Sequence, residues 1–392
     1  MRFDIIPFFN PGETIPWERT LAMFREQAAL AEDAGFTTCW FTEHHFAHNG
    51  YLNAPPNPIL ICADIAARTK HLRVGTSPVV LPDWHPLRVA EDIAMLDNLS
   101  GGRVDFGVGK GINERATVQF NRDADRRDNE KSYRLFRECL DIILRAWTDD
   151  AFVHKGEFYE FPVPGWKETN RFFQPLDPRY HGPDGEYRAM YVHPQPVQAP
   201  HPPVWLMSNA PPTFDHAGAN GLNVVSMAAP FGRIRACWEP YRDARVGAGE
   251  SEARLGQGVG ICTSLYVAET MERAAADVRQ AINGYYEFLC GSRPAGEWSR
   301  KMYLEEEAAL DDEDRDLDWF DFLQKHRIIW VGTAAYVAEC IEEAKAAIGF
   351  DHLVALQQFP GVGYEKIRAS WERLAADVMP RFERRSGEAW DD

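Results

Sequence analysis

LRVGTSPVVLPDWHPLRVAEDIAMLDNLSGGRVDFGVGKG, residues 72–111, contains the unit from which the fold can be read. The run LRVGTSPVV (72–80) is apolar and β-branched, the composition of a buried strand. A proline-marked loop follows, then an amphipathic helix from Pro86 to Leu99, then the apolar strand VDFGVGK (104–110). Strand, loop, helix, strand in this order is the unit of a parallel sheet with right-handed crossovers.

The same unit recurs on both sides of this stretch. Upstream, RFDIIPFF (2–9) is a strand and Trp17–Ala34 a helix, with Leu21, Phe24, Ala28 and Ala31 at helical spacing and Gly35 as its stop. TTCWFTE (37–43) and NPILICADIAAR (57–68) supply the second pair. Downstream of a helix at 129–147, strands are expected at 202–208, 222–227, 258–268 and 351–359. Helices fall between them and close the chain at 363–384. Two stretches break the rhythm. Residues 150–200 are dense in Pro, Gly and aromatics, including Phe152, Phe158, Tyr159, Trp166, Phe172, Phe173, Tyr180, Tyr187 and Tyr191. These are expected to pack an excursion over one end or an extra hairpin rather than to line a pocket. Residues 291–326 carry the acidic run EEEAALDDEDRDLD, a solvated segment or a lid. Eight strands alternating with helices predict an α/β fold: one (β/α)8 TIM barrel over 1–392, with insertions at about 150–200 and 291–326. A doubly wound open sheet is the rival, but the first loop lacks the GxGxxG phosphate fingerprint such a sheet would carry.

Bulk composition narrows the partners. The chain has 392 residues, 45% hydrophobic, with 42 basic against 59 acidic side chains and a net charge of −17. That is enough apolar material for a large core, and the charge disfavours nucleic acid and anionic lipid as partners. No run approaches the roughly 20 apolar residues of a membrane span. The N-terminus lacks a signal-peptide layout. Seven scattered cysteines with no CxxC pair fit reduced thiols in a cytoplasmic protein.

Behind the second strand stands EHHF (43–46), which invites three readings: metal site, acid/base group or structural cluster. A metal needs three or more ligands in fixed geometry, and neighbours on a strand end point to opposite sides. No metal is therefore expected. A histidine facing the C-terminal mouth of a barrel suits proton transfer near neutral pH.

EHHF, ARTKHLRVGT (67–76), HPLRVAEDIAMLDNLSGGR (85–103), FGVGKG (106–111) and VGTAAYVAECIEEAKAAIGFDHLVALQQFPG (331–361) occur in the order and spacing of a known family. The chain resembles the bacterial luciferase-like flavin-dependent monooxygenases over about 1–120, 195–290 and 328–384. The resemblance implies reduced FMN (FMNH2) delivered by a separate NAD(P)H:flavin reductase. It also implies O2, a flavin C4a-peroxide and oxygenation of a small organic substrate. It assigns catalysis to His44. For the cofactor it implies Thr76, Ser77, Gly109, Lys110, Ile112, Ser208, Asn209, Ala210 and Thr213. Lys110 stands where the family has a phosphate-binding arginine, keeping the charge without the two-pronged geometry. Asn209 stands for an acidic residue and Ala210 for a serine, so backbone donors at a helix N-terminus and the Thr213 hydroxyl carry over best. The small residues of VGTSP (74–78) and GVGKG (107–111) would form a floor for the flavin ring, with a non-prolyl cis bond near Thr76–Ser77. Gly109 replaces the light-emitting chain's reactive cysteine, which disfavours luminescence. Glu43 and His45 would face helices or a subunit interface. A homodimer through ILICADIAA (59–67) and VAEDIAML (89–96) is implied as well. Two alternatives stay open: a deazaflavin-dependent oxidoreductase on the same barrel, and a non-catalytic partner subunit.

Overall fold

Side chains alternate along a strand, and a barrel turns that alternation into an inside and an outside. In the computed structural model, which describes residues 1–7, 15–46, 53–112, 114–227, 229–291, 299–304, 311–357 and 359–382, eight parallel strands form such a barrel. They are β1 (Arg2–Ile6), β2 (Thr38–Phe41), β3 (Arg73–Thr76), β4 (Val104–Gly109), β5 (Val204–Met207), β6 (Asn223–Met227), β7 (Val259–Val267) and β8 (His352–Leu356). Each pairs with the next. The β8–β1 seam, from Arg2↔His352 to Ile6↔Leu356, closes the ring. All eight lie within the strands expected from sequence.

Nine helices wrap the outside among the described residues, apart from shorter turns: α1 (Trp17–Asp33), α2 (Pro58–Ala66), α3 (Pro86–Ser100), α4 (Asn129–Thr148), α5 (Pro211–Ala219), α6 (Phe231–Gly247), α7 (Met271–Gly291), α8 (Ala334–Ile348) and α9 (Tyr364–Arg373). Local chemistry sets their ends. The Asn57 side chain caps α2 by accepting from the Leu60 N–H, with Pro58 at the first helical position. Thr333 caps α8, and Gly349 ends it at φ 70°, a left-handed conformation glycine adopts without penalty.

The outward face of the strands and the helices share one large apolar core, including Ile5, Cys39, Phe106, Leu206 and Leu353. The inward face forms a second, smaller cluster: Ile6, Trp40, Trp205, Val225, Cys262, Val354 and Leu356. Below it, at the N-terminal end of the strands, the inward positions are polar. Asp4 accepts from the Trp40 indole, and Asp105 from the Trp205 indole and the Thr38 hydroxyl. Arg73 meets Asp105 with two nitrogens at 2.7 and 3.3 Å.

Three departures from the sequence reading are instructive. The run 72–80 is not one strand: β3 stops at Thr76, and Val79–Val80 restarts as a short strand on β4 after a cis Ser77–Pro78 bond. The closing helix is α-helical only to Arg373, then continues as π and 3-10 turns to Arg381, where Pro380 removes a backbone donor. A short strand, Trp330–Gly332, pairs with β7 just after the second irregular stretch.

The 150–200 insertion lies along the outside. Its hairpin (His154–Lys155 with Glu160–Phe161) packs Phe152 and Phe161 on Ile142 of α4. The Glu138 carboxylate receives the N–H groups of Glu157, Phe158 and Tyr159. Asp97 of α3 receives those of Val197 and Gln198. Phe152 is fully enclosed, whereas Trp166, Phe172 and Phe173 remain exposed. In the second insertion the described part of the acidic run is anchored: Asp314 is buried against Lys325 and His326, and Arg279 of α7 grips Asp318 and Asp321. Residues 305–310 of that run lie outside the described residues.

Burial works to raise the Asp105 pKa, but Arg73 outweighs it and holds the carboxyl below its ordinary value. Such stabilisation is present above the unfolded carboxylate pKa and lost as pH falls through the lower, folded one. Arg73→Leu, which strands a buried charge, should cost about 3–5 kcal/mol in urea unfolding at pH 7. The gap to wild type should shrink as both are acidified below about pH 4. Equal stability at pH 7 would contradict the ion pair's role.

Candidate active site at the mouth of the barrel

The C-terminal ends of β2, β3, β4 and β5 bring most of the sequence-predicted residues to one end of the barrel. Thr76 is fully buried and its hydroxyl donates to the Gly107 carbonyl at 2.7 Å, so it ties two strand ends together. The Ser77 hydroxyl faces the Met207 sulfur at 4.0 Å, from the ends of β3 and β5. The cis bond here is Ser77–Pro78, a prolyl one, in place of the expected Thr76–Ser77. A tertiary amide has little preference between isomers, whereas a secondary amide strongly favours trans.

The glycines serve the protein's own packing. A Cβ on Gly75 would meet the Trp40 ring at 2.3 Å, one on Gly107 the Thr76 carbonyl oxygen at 1.9 Å, and one on Gly109 the Pro78 ring at 2.7 Å. Space read from sequence as a flavin floor is, on the Cβ side of these residues, already filled.

A cationic pair lies just beyond. Lys110 donates to the Asn129 side chain at the start of α4. Burial first, and the charge of Arg126 second, lower the Lys110 pKa. Both side chains are partly buried. One turn along α4, the Tyr133 hydroxyl donates to the Pro212 carbonyl at 3.3 Å, which brings the first turn of α5 to the same helix face. Arg126 was not singled out from sequence. Its signal was there, in the basic Arg126–Arg127 pair just before the Asp128 cap of α4.

The first turn of α5 differs from expectation. Ala210 is its N-cap, with no side-chain bond, and Pro211 and Pro212 occupy the next positions. Prolines have no N–H to give, so this helix start is a poorer anion seat than its place suggests. The Ala210 N–H is used by the Ser208 hydroxyl at 3.0 Å, and the Thr213 N–H by the Ala210 carbonyl at 2.9 Å. The Asn209 amide is spent on Met227 at the end of β6, donating to its carbonyl at 2.6 Å and accepting its N–H at 2.9 Å. These bonds brace the ends of β5 and β6 against each other. The half-buried Thr213 hydroxyl and the exposed Ile112 stay at the same end of the barrel.

EHHF resolves into two sides. Glu43 and His45 belong together: Glu43 Oε1 is 2.7 Å from His45 Nε2, and the carboxylate also receives the Val80 N–H at 3.0 Å and the Trp84 indole at 3.0 Å. They face the turn after β3, where sequence reading placed helices or a subunit interface. The reason is that Val80, the first residue past the interrupted β3, offers a backbone N–H that a buried carboxylate can take. Thr38 and Trp40 face inward along β2, which ends at Phe41; three residues beyond that end stands the partly buried His44. Its backbone N–H donates to the Pro55 carbonyl at 3.1 Å. Phe46 adopts φ 61°, uncommon for a bulky residue, and stacks on Phe120 with centroids 5.4 Å apart. Asp83, Trp84, Phe46 and Phe120 were not singled out from sequence.

A closed barrel with a histidine, a cation pair and strand-end hydroxyls at its C-terminal mouth has the layout of a barrel enzyme. The chain belongs to the luciferase-like monooxygenase family, whose sequence pattern matches residues 1–352. It is 28% identical over 374 residues to the oxygenase component of the flavin-dependent trigonelline monooxygenase of Acinetobacter baylyi, spanning 91% of this chain and 88% of that one. It shares its fold with the oxygenating constituent of 3,6-diketocamphane monooxygenase of Pseudomonas putida, solved in complex with FMN: TM-score 0.75 at 21% identity, over 97% and 98% of the two chains. The coenzyme F420-dependent tetrahydromethanopterin reductase of Methanopyrus kandleri has the same fold at TM-score 0.64 and 16% identity, over 97% and 99%.

If Asn209 is a brace, Asn209→Ala should lower stability by about 0.5–1.5 kcal/mol, since Met227 exchanges two protein partners for water. Affinity for reduced FMN should change little. A large loss of flavin affinity with unchanged stability would return Asn209 to the phosphate.

Proposed function

We propose that this chain is the oxygenase component of a two-component, FMN-dependent monooxygenase. A separate NAD(P)H:flavin reductase supplies reduced FMN, and the chain uses O2 to oxygenate a small organic substrate. The observation that best supports the reading is Lys110 just past the end of β4, partly buried and reaching the start of α4, with the charge of Arg126 acting on it. A phosphate dianion fits that donor set: the Lys110 ammonium, the Arg126 guanidinium and the Thr213 hydroxyl. Reduced FMN held there would supply the electrons that activate O2.

The chain's own residues do the rest. His44 takes a proton from the reacting groups at the mouth and returns it as the reaction completes, work an imidazole suits. Ser77 and Met207, facing each other at the ends of β3 and β5, shape the inner wall of the mouth. No helix among the described residues is long and apolar enough to cross a membrane. A homodimer is part of this reading, supported by the apolar side chains α2 and α3 leave exposed: Leu60, Met95 and Leu99.

Lys110→Ala should weaken reduced-FMN binding by about 5- to 150-fold, the equivalent of 1–3 kcal/mol, in anaerobic titration. His44→Ala should bind it normally yet slow the oxygen-dependent phase in rapid mixing by about 100- to 10,000-fold. Normal affinity in Lys110→Ala would place the phosphate elsewhere. A normal oxygen phase in His44→Ala, with loss in His45→Ala, would exchange the roles of the two histidines.

A further inference from the structure

The turn after β3 ends on a carboxylate that the proposed reaction does not use. Asp83 closes the 3-10 turn Leu81–Asp83, and donor atoms of Asp83, Glu43 and His45 all lie within 4.8 Å of one another. Glu43 is 4% exposed and carries the bonds from Val80, Trp84 and His45 already described. The hydroxyl of Thr117, 1% exposed on the short helix Glu114–Phe120, donates to the Asp83 carboxyl. Oδ1 of Asp83 is shut off from solvent and makes no hydrogen bond. The groups acting on Asp83 are thus Glu43 and His45 from the segment after β2 and Thr117 from the segment after β4. Among the described residues, no lysine or arginine is one of them.

Two carboxylates at this range, with one histidine to balance them, cannot both be charged cheaply in a site water barely enters. Burial, and then the charge of Glu43, push the Asp83 pKa up to about 7, against weaker opposition from His45 and Thr117. The group therefore changes charge near neutral pH.

We propose that Asp83 is a positioning residue for His44, acting through Glu43 by its state of protonation; this rests on the oxygenase reading above. With Asp83 a neutral acid, Glu43 is the cluster's single negative charge. Its bonds to Val80, Trp84 and His45 then fasten residues 43–46 to the turn after β3. His44 lies between Glu43 and His45 and is held with them. Loss of the proton from Asp83 sets a second negative charge against Glu43. The repulsion loosens that fastening, and His44 loses its place at the mouth. Activity therefore falls as pH rises through the Asp83 transition. Stability follows the same sign. The folded state binds this proton more tightly than the unfolded chain, so between the unfolded carboxylate pKa and about 7 stability declines with rising pH.

Two near-isosteric variants test this. Asp83→Asn is permanently neutral, and Thr117→Val removes the hydroxyl that favours the charged form. Reoxidation of bound reduced FMN by O2, which yields oxidised FMN and hydrogen peroxide when no substrate is present, is followed from pH 5.5 to 9 in wild type and both variants. Melting temperatures are taken on the same proteins without flavin. The wild-type rate should fall on a limb near pH 7, approaching tenfold per pH unit for a single ionisation. That limb should vanish in Asp83→Asn and move to higher pH in Thr117→Val, and the melting temperature of Asp83→Asn should gain on wild type as pH rises. A limb unchanged in Asp83→Asn overturns the positioning role even if the melting curves diverge. Melting curves that stay parallel overturn the shared-proton cluster itself. A limb abolished by EDTA in wild type would mean that a cation, not a proton, joins the three groups, and overturns the proposal too. If wild type does not reoxidise FMN at any pH while the melting curves diverge, the oxygenase reading fails, and the link to His44 falls with it.

Discussion

Two indoles fill the middle of the barrel, and much else follows from finding room and partners for them. Trp40 and Trp205 meet edge to face at 6.0 Å, each almost fully buried. Room comes from Gly75, where any side chain would strike the Trp40 ring. Partners come from Asp4 and Asp105, which take the two indole N–H groups. The buried carboxylates have partners of their own: Arg73 for Asp105, and a ring nitrogen of His352, 3.4 Å from Asp4, across the β8–β1 seam. The N-terminal half of the interior is thus a closed polar and aromatic plug, and chemistry is left to the C-terminal mouth.

The mouth is built by the same economy of space. β4 approaches the end of β3 so closely that Gly107 and Gly109 have no room for a Cβ. The interruption at Ser77–Pro78 aims the Val80 N–H at Glu43. That bond joins the segment carrying His44 to the turn after β3, while Lys110 reaches across to α4. Three successive strand ends are therefore mechanically connected.

Periodicity made the fold legible, because each strand is short, apolar and separated by a helix of clear 3.6-residue pattern. The eight strands were all placed. The site was legible in part. His44 and Lys110 were named as candidates because histidine and lysine announce their chemistry and the family pattern gave their places. Asn209 could not be read as a brace, since its partner Met227 lies 18 residues on, in another strand. Asp83 looked like an ordinary loop acid; what sets it apart is the approach of Glu43, 40 positions upstream, which no local pattern reveals. Pro211 and Pro212 were visible in sequence, but their effect appears only once Ala210 is known to be the cap.

The central claim is that the mouth holds reduced FMN for reaction with O2. Anaerobic titration of the wild-type protein with reduced FMN, oxidised FMN and the deazaflavin F420 in its reduced form, each followed by mixing with O2, tests it most directly. Reduced FMN should bind more tightly than oxidised FMN, and its oxidation should proceed in a protein-dependent phase, with reduced F420 binding weakly. Tight binding of reduced F420 with no such phase for FMN would contradict the account and assign the barrel to hydride transfer.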